Sequence, residues 1–145
     1  MKWKGRLAIA LASLCLVGIL GTWAWNEFNV SPLRKALPPI ATEIREYEWS
    51  DGFLPDYSYH LKARIDAKAF RSYVQAFELA LHRDASQYDE SPVPWLNWRA
   101  NGAPKDDGWW TPSESLEGTF VSNRRRRWTF AKYEDGYLYV KSLQH

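Results

Sequence analysis

The sequence predicts an α+β protein, in which an N-terminal single transmembrane helix precedes one small antiparallel-sheet domain with one main helix. Three observations lead there: an uncharged run from Leu7 to Trp25, an order of strand, strand, helix, strands, and an Asp135-Gly136 turn signal between alternating segments. The 145 residues suffice for one domain and an appendage. The predicted segments are a membrane anchor at residues 1–25, a linker at 26–41 and an extracytoplasmic domain at 42–145.

The N-terminal run is long enough to cross a membrane, because a helix rises about 1.5 Å per residue and the hydrocarbon layer is about 30 Å thick. The run is preceded by three cations, Lys2, Lys4 and Arg6. They favour a single-pass protein of the cell (inner) membrane with its N-terminus in the cytoplasm and its C-terminal domain on the other side. The predicted anchor residues are the leucines of the run and two tryptophans at its far end: Leu7, Leu11, Leu14, Leu16, Leu20, Trp23 and Trp25.

A cleaved signal peptide is the alternative for this segment. Cleavage after Ala24 would require Thr22-Trp23-Ala24 to serve as the cleavage site. This sequence is a poor match to the small-x-small pattern that such sites have. A lipoprotein signal at Cys15 fits less well, because Leu14 stands where a small residue is required. The uncleaved anchor is therefore the preferred interpretation.

Composition excludes several functional classes. The formal net charge of +2 arises from the cations before the anchor, so the domain is nearly neutral and a nucleic-acid partner is not expected. Cys15 is the only cysteine, and His60, His82 and His145 are far apart, so neither a disulfide nor a metal site is predicted. No cofactor loop or nucleophile motif occurs, and the chain is predicted not to be an enzyme.

The domain is expected to begin after a linker, Asn26–Pro39, in which Pro32, Pro38 and Pro39 interrupt any helix. Glu43–Trp49 should then pair with a second strand, Asp56–Ile65. The second strand alternates strictly, which predicts one buried face and one solvated face. The side chains expected in solvent are Ser58, His60, Lys62 and Arg64.

Asp66 is predicted to cap a helix that runs from Ala67 to about His82. Its apolar residues recur at spacings of three and four, which indicates packing on the sheet. This stripe comprises Phe70, Tyr73, Val74, Phe77, Ala80 and Leu81.

The chain should end in paired strands, "TFVSN" with "RRRWTFAKYE" and then a hairpin through Asp135-Gly136. That register places Tyr133 opposite Leu138 and Ala131 opposite Val140. Since the other face carries apolar side chains too, the hairpin is expected to be central or covered on both sides. The residues of that other face are Trp128, Phe130, Tyr139 and Leu143.

The segment 84–118 is irregular but rich in tryptophan, so it is expected to be ordered. Because neighbouring side chains of an extended chain point opposite ways, one of Trp109 and Trp110 should pack inward. The alternative is a glycan-binding surface, in which aromatic rings and carboxylates contact sugar. Its candidate residues are Trp95, Trp98, Trp109, Trp110, Asp106 and Asp107. Carboxylates beside tryptophans also suit a small hydrolase, a less favoured interpretation.

The segment 84–118 is also acidic, with seven acidic and two basic side chains, and a basic run follows it: Arg124, Arg125, Arg126 and Arg127. If the run is extended, two arginines point to each face of the sheet. They could pair with the acidic segment, or bind anionic lipid or an acidic partner. Together, these features predict a membrane-anchored extracytoplasmic binding or accessory protein that contacts another envelope protein, with glycan binding as the alternative function.

Overall fold

The computed structural model of the chain describes residues 13–22, 30–50, 57–82, 98, 104, 108–124 and 127–144. The chain divides into two compact units, Met1–Lys35 and Ala36–His145. The second unit is a small α+β domain with one antiparallel six-stranded sheet, as predicted. Its elements are β1 (Thr42–Ser50), β2 (Tyr57–Arg64), α3 (Ala67–Ala76), β3 (Ala80–Leu81), β4 (Phe120–Arg124), β5 (Arg127–Glu134) and β6 (Tyr137–Gln144).

The first unit is helical at residues 13–22 (α1) and contains a short second helix, α2 (Pro32–Lys35). The Ser31 hydroxyl accepts a hydrogen bond from the Leu33 amide at 3.2 Å and so caps α2. Pro32 begins this helix, where no amide hydrogen is needed, so the expectation that it would interrupt any helix was wrong. None of the helices in the described ranges is long and apolar enough to cross a membrane.

The sheet has the strand order β1-β2-β6-β5-β4-β3, so the β5–β6 hairpin lies near its centre as predicted. Asp135 and Gly136 form its turn with φ of 48° and 82°. Positive φ at both positions is typical of a type I′ turn, whose twist matches the flanking strands. The predicted register is confirmed, since Tyr133 pairs with Leu138 and Ala131 with Val140.

One side of the sheet, called the helix face, is covered by α3. Asp66 caps the helix as predicted, with its Oδ1 accepting from the Ala69 amide at 2.7 Å. The Phe70 ring stacks on Tyr133 and meets the edge of Phe120. Phe70, Tyr73 and Val74 are buried, so the predicted stripe packs on the sheet over the length of the helix.

The predicted extension of this helix to His82 was wrong. The helix ends at Ala76, and Glu78 takes a positive φ of 52°, which turns the chain away from the helix axis. Ala80 and Leu81 then pair with β4, and the His82 amide donates to the Thr119 carbonyl at 2.8 Å. Pairing with β4 satisfies backbone groups that a longer helix would have bonded internally.

The other side, called the loop face, is buried at Ser58 and His60, where the prediction of a solvated face on β2 was wrong, whereas Arg64 on the same face is exposed as predicted. Ser58 is 3% exposed and His60 is fully buried. The cause is the irregular segment, which lays Trp98 and Trp110 over the sheet. The buried cluster there contains Trp98, Trp110, Val121, Trp128, Phe130, Tyr139 and Leu143. Period-two alternation cannot reveal a cover supplied by residues so distant in the chain.

Candidate functional site

The paired tryptophans of the irregular segment divide as expected, one inward and one outward. Trp110 is buried, and its indole N–H donates to the Trp98 carbonyl at 2.6 Å. Its ring lies edge-on to His60 at 4.9 Å and to Tyr139 at 5.5 Å. Trp109 is half-buried and packs against the rim of this cluster. Trp98 and Trp110 therefore belong to the core, and Trp109 alone of the three reaches the surface.

Lysines of the loop face hold this segment in place. Lys62 donates to the Trp109 carbonyl at 2.9 Å, and Lys132 donates to the Ser115 carbonyl at 2.7 Å. Lys132 is 2% exposed and pairs with Glu134 at 3.0 Å. No described strand pairs with Trp109 or Ser115, so ammonium donors take the place of backbone hydrogen bonds to these carbonyls.

Ser113, Lys132 and Glu134 contact one another, which resembles the juxtaposition of a serine nucleophile and a lysine base. A lysine base must be neutral, however, and the Lys132 ammonium is ion-paired with Glu134. Burial raises the pKa of Glu134, but hydrogen bonds from Ser113 and Lys132 outweigh it and lower that pKa overall. The Glu134 carboxylate therefore stays ionised and accepts hydrogen bonds from Ser113, which ties the irregular segment to β5.

The β1 strand forms one edge of the sheet and is open to solvent. All nine of its residues are exposed or partly exposed, and no described strand pairs with its outer side. Tyr47 and Trp49 are 38% and 39% exposed on the loop face. The pairing with β2 steps from Thr42 opposite Arg64 to Arg45 opposite Lys62, so β1 carries one extra residue at a β-bulge.

The bulge is fixed by the Glu43 side chain. Glu43 has a φ of 49°, and its carboxylate accepts from the Tyr137 hydroxyl at 2.6 Å and from Arg64 at 2.8 Å. The hydrogen bond from Tyr137 and then that from Arg64 lower the pKa of Glu43, so it is ionised near neutral pH. A glutamate with left-handed backbone geometry and two side-chain partners indicates that the bulge is a specific structural feature and not fraying of the strand end.

A cleft of about 390 Å³ opens beside this bulge and is called the bulge cleft. Within it, Arg45 stands directly opposite Lys62 on paired strands. The Arg45 side chain is exposed and makes no hydrogen bond or ion pair with any described residue, while the Lys62 ammonium lies 4.4 Å from the centre of the Tyr137 ring. The described lining residues are Glu43, Ile44, Arg45, Lys62, Trp109 and Tyr137.

The other predicted site residues are scattered. Arg124 pairs with Glu78, and Arg127 donates to Gln144 at 3.0 Å. Arg124 and Arg127 are paired across the β4–β5 hairpin and so lie on one face, whereas residues three apart in a single extended run would point to opposite faces. Leu14, Leu16 and Leu20 are exposed on α1. The predicted residues outside the described ranges are Trp95, Asp106, Asp107, Arg125, Arg126, Leu7, Leu11, Trp23 and Trp25.

Sequence reasoning missed the polar residues of the bulge cleft. Arg45, Lys62 and Tyr137 come from three separate strands, and only the register of β1 on β2 and of β2 on β6 brings them together. An available signal was the mixed charge of Glu43–Trp49, which is unusual for a buried strand and typical of a protected edge.

No protein-family model matches the chain, and no curated protein or solved structure is detectably similar to it. Among the described residues, no group of three or more histidine, cysteine, aspartate or glutamate side chains is arranged to hold a metal ion.

Proposed function

We propose that this protein is a single-pass, membrane-anchored binding protein whose domain lies outside the cytoplasm and contacts another envelope protein through β1. The uncharged run Leu7–Trp25, preceded by cations, supports the anchor. Within it, α1 exposes apolar side chains such as Leu14, at 71%. The Thr22 hydroxyl donates back to the Gly18 and Ile19 carbonyls at 3.1 and 2.9 Å, which would satisfy this polar group in a hydrocarbon environment.

The observation that carries the partner-binding proposal is the open edge of β1. The nine residues of β1, eight exposed and one partly exposed, offer a row of backbone groups to which an extended segment of a partner could add as a further strand. Tyr47 and Trp49 offer aromatic contact area on the loop face, and Glu46 and Glu48 offer negative charge on the helix face. Such a surface suits a partner strand with apolar residues on one face and basic residues on the other.

A second copy of the same chain fits this edge poorly. In a full antiparallel overlap of two β1 strands, Glu46 would lie opposite Glu46 of the other copy. Shifting the register by one same-face step places Arg45 opposite Arg45, or Glu46 opposite Glu48. Like charges directly opposite destabilise a strand pair, so the edge favours a different, basic partner over self-association.

Site-specific photo-crosslinking in native membranes tests this function. Benzoylphenylalanine in place of Trp49 in the full-length chain should give a defined covalent adduct. The same group in place of Arg71, exposed on α3, should give none. Equal crosslinking at both positions, or adducts only at position 71, would contradict partner binding through β1.

Glycan binding is the second candidate function, and the bulge cleft favours it. The volume of about 390 Å³ is in the range of ligand sites, and the Trp109 and Tyr137 rings line the cleft. Among the described tryptophans of the predicted glycan-binding set, Trp98 and Trp110 are buried, so Trp109 is the one that can stack on a sugar. Retention of the full-length protein on envelope glycan, lost in Trp109→Ala without unfolding, would support this function.

A further inference from the structure

We propose that the bulge cleft recognises a carboxylate-bearing saccharide, with Arg45 and Lys62 as its carboxylate receptors. The inference rests on the second candidate function, glycan binding at the same cleft, and adds the chemical class of the sugar. It does not depend on strand addition to the outer edge of β1.

The arrangement of charge in the cleft carries the argument. Arg45 and Lys62 are directly opposite each other on paired strands, a placement that repels unless an anion lies between them. Arg64 adds a third cation next to this pair, but Glu43 pairs with it at 2.8 Å. Among the described residues, the carboxylate that lines the cleft, Glu43, is therefore already paired with Arg64. The positive charges of Arg45 and Lys62 face the open space.

Neither of these cations is fully used within the described domain. The Arg45 side chain has no hydrogen bond or ion pair with a described residue, so its planar guanidinium is available for two parallel hydrogen bonds to a carboxylate. Lys62 donates to the Trp109 carbonyl at 2.9 Å and contacts the Tyr137 ring, which positions its ammonium. An ammonium has three donors, and a ligand oxygen can accept from one that remains.

The walls of the cleft specify what should be attached to the carboxylate. Trp109 and Tyr137 offer aromatic surface beside the cations, and a pyranose ring has an apolar C–H face that can stack on such surface. The Tyr137 hydroxyl is bound to Glu43 at 2.6 Å, so its ring is held in place before any ligand arrives. A sugar ring with a carboxylate substituent matches both features of the cleft.

The test compares N-acetylmuramic acid with N-acetylglucosamine, which differ by one carboxylate-bearing lactyl ether, against the full-length protein in detergent. Ligand-observed saturation-transfer NMR and titration should show binding of the acidic sugar at least about tenfold tighter than that of the neutral one. Arg45→Gln should remove that preference, while the matched control Arg71→Gln, on the opposite side of the domain, should retain it. Added salt should weaken binding of the acidic sugar more than that of the neutral one.

The outcomes separate the two levels of the proposal. Equal affinity for both sugars, lost in Trp109→Ala, would retain glycan binding and overturn the acidic specificity. Binding of neither sugar would overturn both. A short peptide with a free carboxyl terminus that binds as tightly as the acidic sugar, in an Arg45-dependent way, would overturn the saccharide assignment in favour of a peptide ligand.

Discussion

Truncation of Trp110 should destabilise the domain far more than truncation of its neighbour Trp109. Trp110 is 7% exposed, contacts Trp98, His60 and Tyr139, and donates its indole hydrogen to the Trp98 carbonyl at 2.6 Å. Removing a buried aromatic side chain costs about 3–5 kcal/mol, and the abandoned carbonyl adds about 1 kcal/mol. Because the stability of a native domain is about 5–15 kcal/mol, Trp110→Ala should remove a large fraction of it.

Trp109 is half-buried, and its side chain donates no hydrogen bond to a described residue. Trp109→Ala should therefore lower the free energy of unfolding by only about 1–2 kcal/mol, in proportion to the smaller apolar area that Trp109 buries. The assay is urea denaturation of the full-length variants, followed by circular dichroism so that loss of a fluorophore does not affect the signal. Equal losses for the two variants, or a larger loss for Trp109→Ala, would refute the assignment of Trp110 to the core.

Three further predictions concern acid stability, alkaline stability and topology. Burial, and then the neighbouring Lys141 charge, lower the pKa of His60 to about 3. As the pH falls, the unfolded state therefore binds a proton at His60 before the folded state does. The free energy of unfolding should fall by about 1.4 kcal/mol per pH unit below about pH 6.5. His60→Phe should flatten that slope in urea titrations between pH 7 and pH 4, and an unchanged slope would contradict the burial of His60. Burial lowers the pKa of Lys141 to about 8, so the folded state loses this proton before the unfolded state does. The free energy of unfolding should therefore rise between about pH 8 and about pH 10.4. Lys141→Met should abolish this rise, and a rise that persists in the variant would show that another group causes it. Alkaline phosphatase fused to the C-terminus should be active, whereas activity of a cytoplasmic reporter fused there instead would reverse the proposed topology.

The central hairpin could be predicted to the residue, because local signals decide it. Asp135-Gly136 selects a two-residue turn, and the turn then fixes that Tyr133 pairs with Leu138. The cap at Asp66 is equally local, since the side chain bonds an amide three residues ahead. The α+β class followed from the order of these elements, without knowledge of any long-range contact.

The features that could not be predicted depend on distant pairings. His60 alternates like a solvated residue, and only the cover of Trp98 and Trp110 buries it. Helical spacing continues to Leu81, but pairing of β3 with β4 competes successfully for those residues. The bulge cleft depends on register in the same way, because Arg45 and Lys62 become neighbours only when β1 pairs with β2 around a bulge.

Backbone hydrogen exchange of β1 tests the central claim, that its outer edge accepts a basic extended segment. A ten-residue peptide of alternating lysine and valine should slow exchange at alternate amides of β1 in the full-length protein in detergent, because added strands bond every second residue. The double variant Glu46→Gln and Glu48→Gln should lose most of this protection, whereas Glu117→Gln, an exposed glutamate outside β1, should retain it. Protection of another strand, or equal protection of β1 by a peptide of alternating glutamate and valine, would contradict the claim.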